Sequence, residues 1–322
     1  MIEARQLSRV FTTGRGRQKG SVTAVNAVNL DVAAGEIVGF LGPNGAGKTT
    51  TLKMLTTLLK PTSGTAKVAG HDVATDPVAV RRSIGYVSQS GAVFSEARVG
   101  DELVDHALLY GMPRARARER GDALLEQFEL PGIWNRQAKT LSGGQRRRLD
   151  IAMGLIHEPR LVFLDEPTTG LDPQARANLW QHIADLRAKR GSTVFLTTHY
   201  LDEADALCDR IFVIDHGKIV ASDTPDNLKS EVRGDLIELT VSDGKLGEAA
   251  RHLHALAGSA ETSTADRTVS ARVPRAGAAL PQLLRNLESS GVGLDAVDVR
   301  RATLDDVFLT LTGRSLRDDE SA

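Results

Sequence analysis

The sequence predicts an α/β fold, a mostly parallel sheet covered by helices on both faces, with a smaller α+β unit at its C-terminal end. Three observations carry this. Short apolar runs such as "IVGFL", "LVFL" and "STVFLTTH" alternate with helical stretches, the pattern of strands buried on both sides. The stretch "GPNGAGKTT" at 42–50 sits between one such strand and an amphipathic helix. Near residue 230 the texture changes to short alternating strands, "LIELTVSDG", "TVSARVP" and "GLDAVDVRR", interleaved with helices at about 246–257 and 277–290.

Taken in order, "MIEARQLSRVFTTG" has no apolar signal core and reads as the start of a strand. "TAVNAVNLDV" alternates loosely, and "GEIVGFLGPNGAGKTTTLKMLTTLL" runs strand, glycine loop, helix, stopped by the turn "PTSG" at 61–64. "TAKVAGHDV" reads as a short strand and turn, and "IGYVSQ" as a buried strand. From about 91 to 154 the pattern is helical, ending in "SGGQRRRLDIAMGLI". The core resumes with the strand "RLVFLDEP", the helix "PQARANLWQHIADLRAKRG", the strand "STVFLTTH", the helix "LDEADALC" and a hairpin, "RIFVIDHGKIVASD". The chain ends in "TLDDVFLTLTGR" and an acidic tail expected to fray.

Composition narrows the function classes. Of 322 residues, 40 are Lys or Arg and 41 Asp or Glu, a net charge of −1 that gives no global pull toward nucleic acid or anionic lipid. No apolar run approaches the roughly 18 residues of a membrane helix. The single cysteine, Cys208, excludes a disulfide framework within the chain and fits a reducing compartment, as a small buried core residue rather than a reactive thiol. The basic segment at 14–20 reads as a solvated hairpin tip and "RARARER" at 114–120 as a wet helix face.

The chemistry lies in two segments. "GPNGAGKT" fits G-x-x-x-x-G-K-[ST] with a strand before it and a helix after it. Gly42, Gly45 and Gly47 let the backbone approach closely, so that the successive N–H groups of the ATP-binding loop, which also holds Pro43 (itself without an N–H), Asn44, Ala46 and Thr50, can cradle phosphates at the positive end of a helix. Lys48 is expected at the β and γ phosphates of ATP, and the Thr49 hydroxyl on Mg²⁺. "LVFLDEP" then delivers two carboxylates from a strand end: Asp165 toward Mg²⁺, and Glu166 placed to polarise a water attacking the γ-phosphate. A second glycine-rich helix start, "TLSGGQRRR" at 140–148, is the arrangement that also cradles phosphate, although one nucleotide needs one cradle.

With these motifs the chain resembles the ATP-binding cassette family, the motor subunits of ABC transporters, over about residues 1–228. "LSGGQ" at 141–145 is that family's signature. The resemblance implies a P-loop NTPase ABC cassette, a RecA-like core plus a helical subdomain at about 91–154, followed at 229–322 by the small α+β domain. It identifies Gln89 in "YVSQ" as the Q-loop glutamine and a ligand of Mg²⁺, Asp172 in "GLDP" as the D-loop aspartate, and His199 in "TTHY" as the switch histidine; alone, a His at a strand end would read as structural. In this family two cassettes face head to tail, so Ser142, Gly143, Gly144, Gln145 and Asp172 are expected to serve the ATP of a second copy, with Ser142 capping its helix. Phe11 sits where the family places an aromatic on adenine; it reads either as that platform or as core filler. Arg146 to Arg148 read either as a partner contact or as support for the helix.

"RRRLDIAMGLIHEPRLVFLDEPTTGLDP", "THYLDEADALCDRIFVIDHGKI" and "LDDVFLTLTGR" are similar to the daunorubicin/doxorubicin-resistance type of ATP-binding subunit, over nearly the whole chain. That resemblance implies a peripheral position on the cytoplasmic face of the membrane beside a separately encoded permease, met by "EAR" at 96–98, and export of a drug, antibiotic or lipid. A cassette protein acting on ribosomes or nucleic acid is the alternative, but it would carry paired cassettes or a long coiled coil.

Overall fold

In the computed structural model, residues 1–13, 20–232, 234–242, 244–257, 262–273 and 276–313 are described. Two compact units are present, Met1–Pro225 and a second that begins at Asp226. The basic segment's residues 14–19 and the acidic tail from 314 onward lie outside the described residues.

The first unit opens with strands β1 (Ile2–Thr13), β2 (Gly20–Val32) and β3 (Ile37–Leu41), then α1 (Lys48–Leu55). β4 (Ser63–Val68), β5 (His71–Asp72), α2 (Pro77–Ser83) and β6 (Ile84–Val87) follow. A helical stretch holds α3 (Val99–Leu109), α4 (Arg114–Gln127) and α5 (Gly143–Gly154). The core then returns with β7 (Leu161–Asp165), α6 (Pro173–Arg190), β8 (Thr193–Thr198), α7 (Leu201–Leu207), β9 (Arg210–Asp215) and β10 (Lys218–Asp223).

Six strands form the central sheet in the order β10-β9-β3-β8-β7-β6. All pairs are parallel except the β9–β10 hairpin, which turns at His216 and Gly217, both at positive φ as a tight two-residue turn demands. Every residue of β3, β7 and β8 is buried, which is why these strands read as unbroken apolar runs. Their carboxyl ends therefore deliver the loops that carry chemistry to one edge of the sheet.

The sequence did not announce a second, antiparallel sheet in the order β2-β1-β4-β5. β1 is its spine and pairs with both β2 and β4. Its alternation is blurred by register shifts on either side of Gln6, itself at φ 51, and β2 carries a matching irregularity at Ala27, at φ 52. Ile2, Ala4 and Leu7 of β1 join Leu52 and Met54 of α1 and Phe40 and Phe195 of the central sheet in one core. α1 is thus clamped between two sheets, and the loop before it is held rigidly. Cys208 is buried against Gly39, as expected of a small core residue. The arginine-rich face of α4 is largely exposed, although Arg118 lies over the Trp134 ring at 4.8 Å.

Helix α8 (Pro225–Glu231) begins at the boundary between the units. Beyond it come β11 (Asp235–Val241), α9 (Leu246–Ala257), β12 (Thr262–Ala265), β13 (Thr268–Val273), α10 (Ala276–Ser289), β14 (Leu294–Arg300) and α11 (Leu304–Thr312). The antiparallel order β12-β13-β11-β14 with a β-α-β-β-α-β sequence is the ferredoxin-like split βαβ arrangement. Ile237, Leu239, Val269 and Ala271 on one sheet face pack with Leu253 of α9 and Leu283 and Leu287 of α10.

Candidate nucleotide site

The loop between β3 and α1 owes its shape to two glycines. Gly47 adopts φ 105 and is packed so tightly that a Cβ there would lie 2.4 Å from the Ala24 carbonyl oxygen. Gly45, at φ 79, faces open space at the exposed crest of the loop beside Asn44. No side chain caps the start of α1, so its first N–H groups are left for an external acceptor. That is the provision expected for an anion.

Lys48 is almost fully buried at 4% exposure. Its ammonium donates to the carbonyl oxygens of Gly42 at 2.7 Å and Pro43 at 3.1 Å and lies 3.4 Å from Glu166 Oε1. Burial lowers its pKa, while Glu166 and Asp165 oppose that shift. At the end of β7, Asp165 Oδ1 accepts hydrogen bonds from Thr197 Oγ1 at 2.7 Å and from Thr49 Oγ1 at 3.1 Å. Thr49 and Asp165, distant in sequence, therefore share one point in space.

Glu166 is the hub. Its Oε1 lies 3.4 Å from His199 Nδ1, and its Oε2 accepts from Gln89 Nε2 at 2.9 Å and Thr169 Oγ1 at 3.3 Å. Burial would push its carboxyl up, but the His199 hydrogen bond and the Lys48 charge override this and hold it down to about 2. It is an ionised carboxylate at neutral pH, able to orient and polarise a water. The backbone here is also unusual: Glu166 sits at φ 45, a left-handed conformation that costs a side-chain-bearing residue energy.

The signature forms a separate cavity. Ser142 caps α5 in a reciprocal box: its hydroxyl accepts from Gln145 N at 3.2 Å, and Gln145 Oε1 accepts from Ser142 N at 3.1 Å. Asp172 caps α6 with a single bond, accepting from Ala175 N at 2.9 Å. The residues Ser142 to Gln145 and Gly170 to Asp172 line a cavity of about 460 Å³. Ser142 and Gly143 are exposed at its mouth. Nothing from the phosphate loop lines it. The structure thus gathers Lys48, Thr49, Gln89, Asp165, Glu166 and His199 in one place and the signature with Asp172 in another.

Comparison with known proteins fits both halves of the chain. The ABC transporter family pattern matches residues 25–169, and the pattern described as ATP-binding protein DrrA1-3-like, C-terminal domain, matches 224–312. The daunorubicin resistance ATP-binding protein DrrA3 of Streptomyces coeruleorubidus is 43% identical over 97% of this chain and 98% of its own length. The chain belongs to the ABC transporter family. Nod factor export ATP-binding protein I of Burkholderia lata is 38% identical over 93% of this chain and 95% of its own. A dimeric cassette solved in a post-hydrolysis state with ADP and Pi superposes with a TM-score of 0.63 at 26% identity, over 70% of this chain and 98% of that one.

As an ABC cassette the chain is an ATP-hydrolysing motor subunit of an exporter-type transporter. Among the described residues no helix is long and apolar enough to cross a membrane. Phe11 is only partly buried and stays out of the core cluster, and the Arg9 guanidinium lies 4.7 Å over one face of its ring. Phe11→Ala is expected to weaken ATP binding by about 1–3 kcal/mol, the range for base–aromatic stacking, with Phe11→Tyr near neutral. Titration calorimetry checks this; unchanged affinity in the Ala variant would move the adenine platform elsewhere.

The arginines after the signature make hydrogen bonds within the chain. Arg146 donates to the Val93 carbonyl at 2.9 Å and to Ser95 Oγ at 3.1 Å, and Arg148 to the Phe128 carbonyl at 3.0 Å. Arg147 turns fully inward. Sequence reading also missed Thr197, whose hydroxyl and carbonyl both accept from Glu166 N, at 3.0 and 3.1 Å. A β-branched residue inside an apolar strand gives no local sign of such a duty.

Proposed function

We propose that two copies of this chain bind two ATP molecules at composite sites, each between the phosphate loop of one copy and the signature of the other. The observation that carries this is the division of phosphate-binding features between two places on one chain, the Lys48 cluster and the Ser142 cavity. The dimeric form of the structural neighbour supports it. Lys48 would hold the β and γ phosphates, Phe11 the adenine, and Gly42 to Thr50 the phosphate chain; Glu166 would orient the attacking water and His199 would stabilise charge at the γ-phosphate. As Lys48 turns its charge to phosphate it loosens its hold on Glu166, raising that carboxylate's affinity for the proton of the attacking water.

The donor set fits Mg²⁺. Thr49 and Asp165 offer hard oxygens side by side, and Gln89, whose amide donates to the adjacent Glu166, could turn its oxygen to the ion. Mg²⁺ there would neutralise phosphate charge.

The motor would act on a separate membrane permease at the cytoplasmic face, through the segment with exposed Phe94 and Glu96 to Arg98. The cargo would be a drug, antibiotic or lipid-like molecule, in keeping with the names of the relatives. A role on ribosomes or nucleic acid has no support in those relatives. The test is hydrolysis by the chain, alone and co-expressed with a six-helix membrane permease. Chelation of Mg²⁺ is expected to abolish turnover and readdition to restore it, whereas chelator-resistant hydrolysis, or none in any preparation, would overturn the reading.

A further inference from the structure

Arg147 lies in the second turn of α5 and is 7% exposed. Its four hydrogen bonds all go to backbone carbonyls: Nε to Pro167 at 2.7 Å, Nη1 to Ser88 at 2.7 Å, and Nη2 to Asp165 at 3.0 Å and Glu166 at 3.3 Å. Three of these acceptors are consecutive and surround the left-handed turn at Glu166. The fourth immediately precedes Gln89. The strained peptide is thereby held from both sides, its N–H by Thr197 and its carbonyl by Arg147.

The same helix grips the other flank of Gln89. Asp150 Oδ1 accepts from Ala92 N at 2.9 Å and Val93 N at 3.3 Å, and Arg146 donates to the Val93 carbonyl. Gly91 fits because a Cβ there would lie 2.5 Å from Asp150 Oδ2. α5 therefore brackets the glutamine that contacts Glu166, while its own first residues form the signature cavity.

We infer that Arg147 is a positioning residue that fixes the backbone of Glu166 and of the Gln89 loop to the helix bearing the signature, so that the base of one site is set by the helix serving the other. This rests on the nucleotide-site reading above. A guanidinium is needed because only its planar fork can serve several carbonyls at once; a lysine ammonium keeps the charge but not the fork. Loss of the clamp releases the turn at Glu166, and a misplacement of about 1 Å can cost on the order of 10²-fold in rate.

The test uses full-length chain with its permease. Arg147→Met is expected to lower kcat by about 10–100-fold while ATP affinity stays within about two-fold; Arg147→Lys should fall between it and wild type. In a Glu166→Gln background, Arg147→Met should lower turnover by no more than about two-fold further, because the group it positions is already gone. Additive losses in that cycle, or ATP affinity and melting temperature falling together with kcat in the Lys variant, would show that Arg147 merely supports the fold and overturn the inference. Wild-type turnover in both Arg147 variants would overturn it too. If Glu166→Gln itself hydrolyses normally, the nucleotide-site reading fails instead, so the two failures are separable.

Discussion

Glu166→Gln is expected to bind ATP as well as wild type and to turn it over about 10²–10⁴-fold more slowly. The substitution keeps the shape of the side chain and removes its charge. The amide carbonyl can take the Oε2 position, where Gln89 and Thr169 donate. Its NH₂ then replaces Oε1, the atom 3.4 Å from both Lys48 Nζ and His199 Nδ1, and can no longer accept from either. Lys48 is freed for phosphate, while no carboxylate remains to orient water. Binding without release should let the variant accumulate as an ATP-dependent dimer in size-exclusion chromatography. Monomer alone, with hydrolysis near wild type, would show that Glu166 is not the group that orients water.

The nucleotide site was legible because its signals are local. A glycine loop between strand and helix, or a carboxylate pair ending an apolar run, needs only a few neighbouring residues to be read, and the structure brings Lys48, Asp165 and Glu166 together. The helices at 246–257 and 276–289 were legible from their apolar period. The antiparallel sheet was not, because β1 finds β4 far along the chain and its alternation is interrupted by bulges. Short helices α2 and α8 carry too few turns to show a period. Arg147 was hidden by its company: among three consecutive arginines nothing marks the one that faces inward. The left-handed turn at Glu166 is likewise invisible, since glutamate does not advertise positive φ.

The central claim, that each ATP is held by two chains, is tested most directly by mixing two inactive variants. Lys48→Ala removes the buried ammonium at the phosphate loop, and Ser142→Arg puts a bulky cation at the exposed mouth of the signature cavity and removes the cap of α5. Each variant alone has two defective sites per dimer and is expected to be nearly inactive, with Lys48→Ala also losing ATP affinity. In a mixed dimer one composite site joins the intact loop of the Ser142→Arg chain to the intact signature of the Lys48→Ala chain. The other site collects both lesions. With random pairing, half the dimers are mixed and each has one good site of two, so equal amounts should recover up to about a quarter of wild-type turnover if both faces supply transition-state contacts. The measurement is ATP hydrolysis in membranes holding the permease and both differently tagged variants, with mixed pairs verified by tandem purification. Recovery well above the mean of the separate variants is the predicted result; verified mixed dimers no more active than that mean would contradict the shared site.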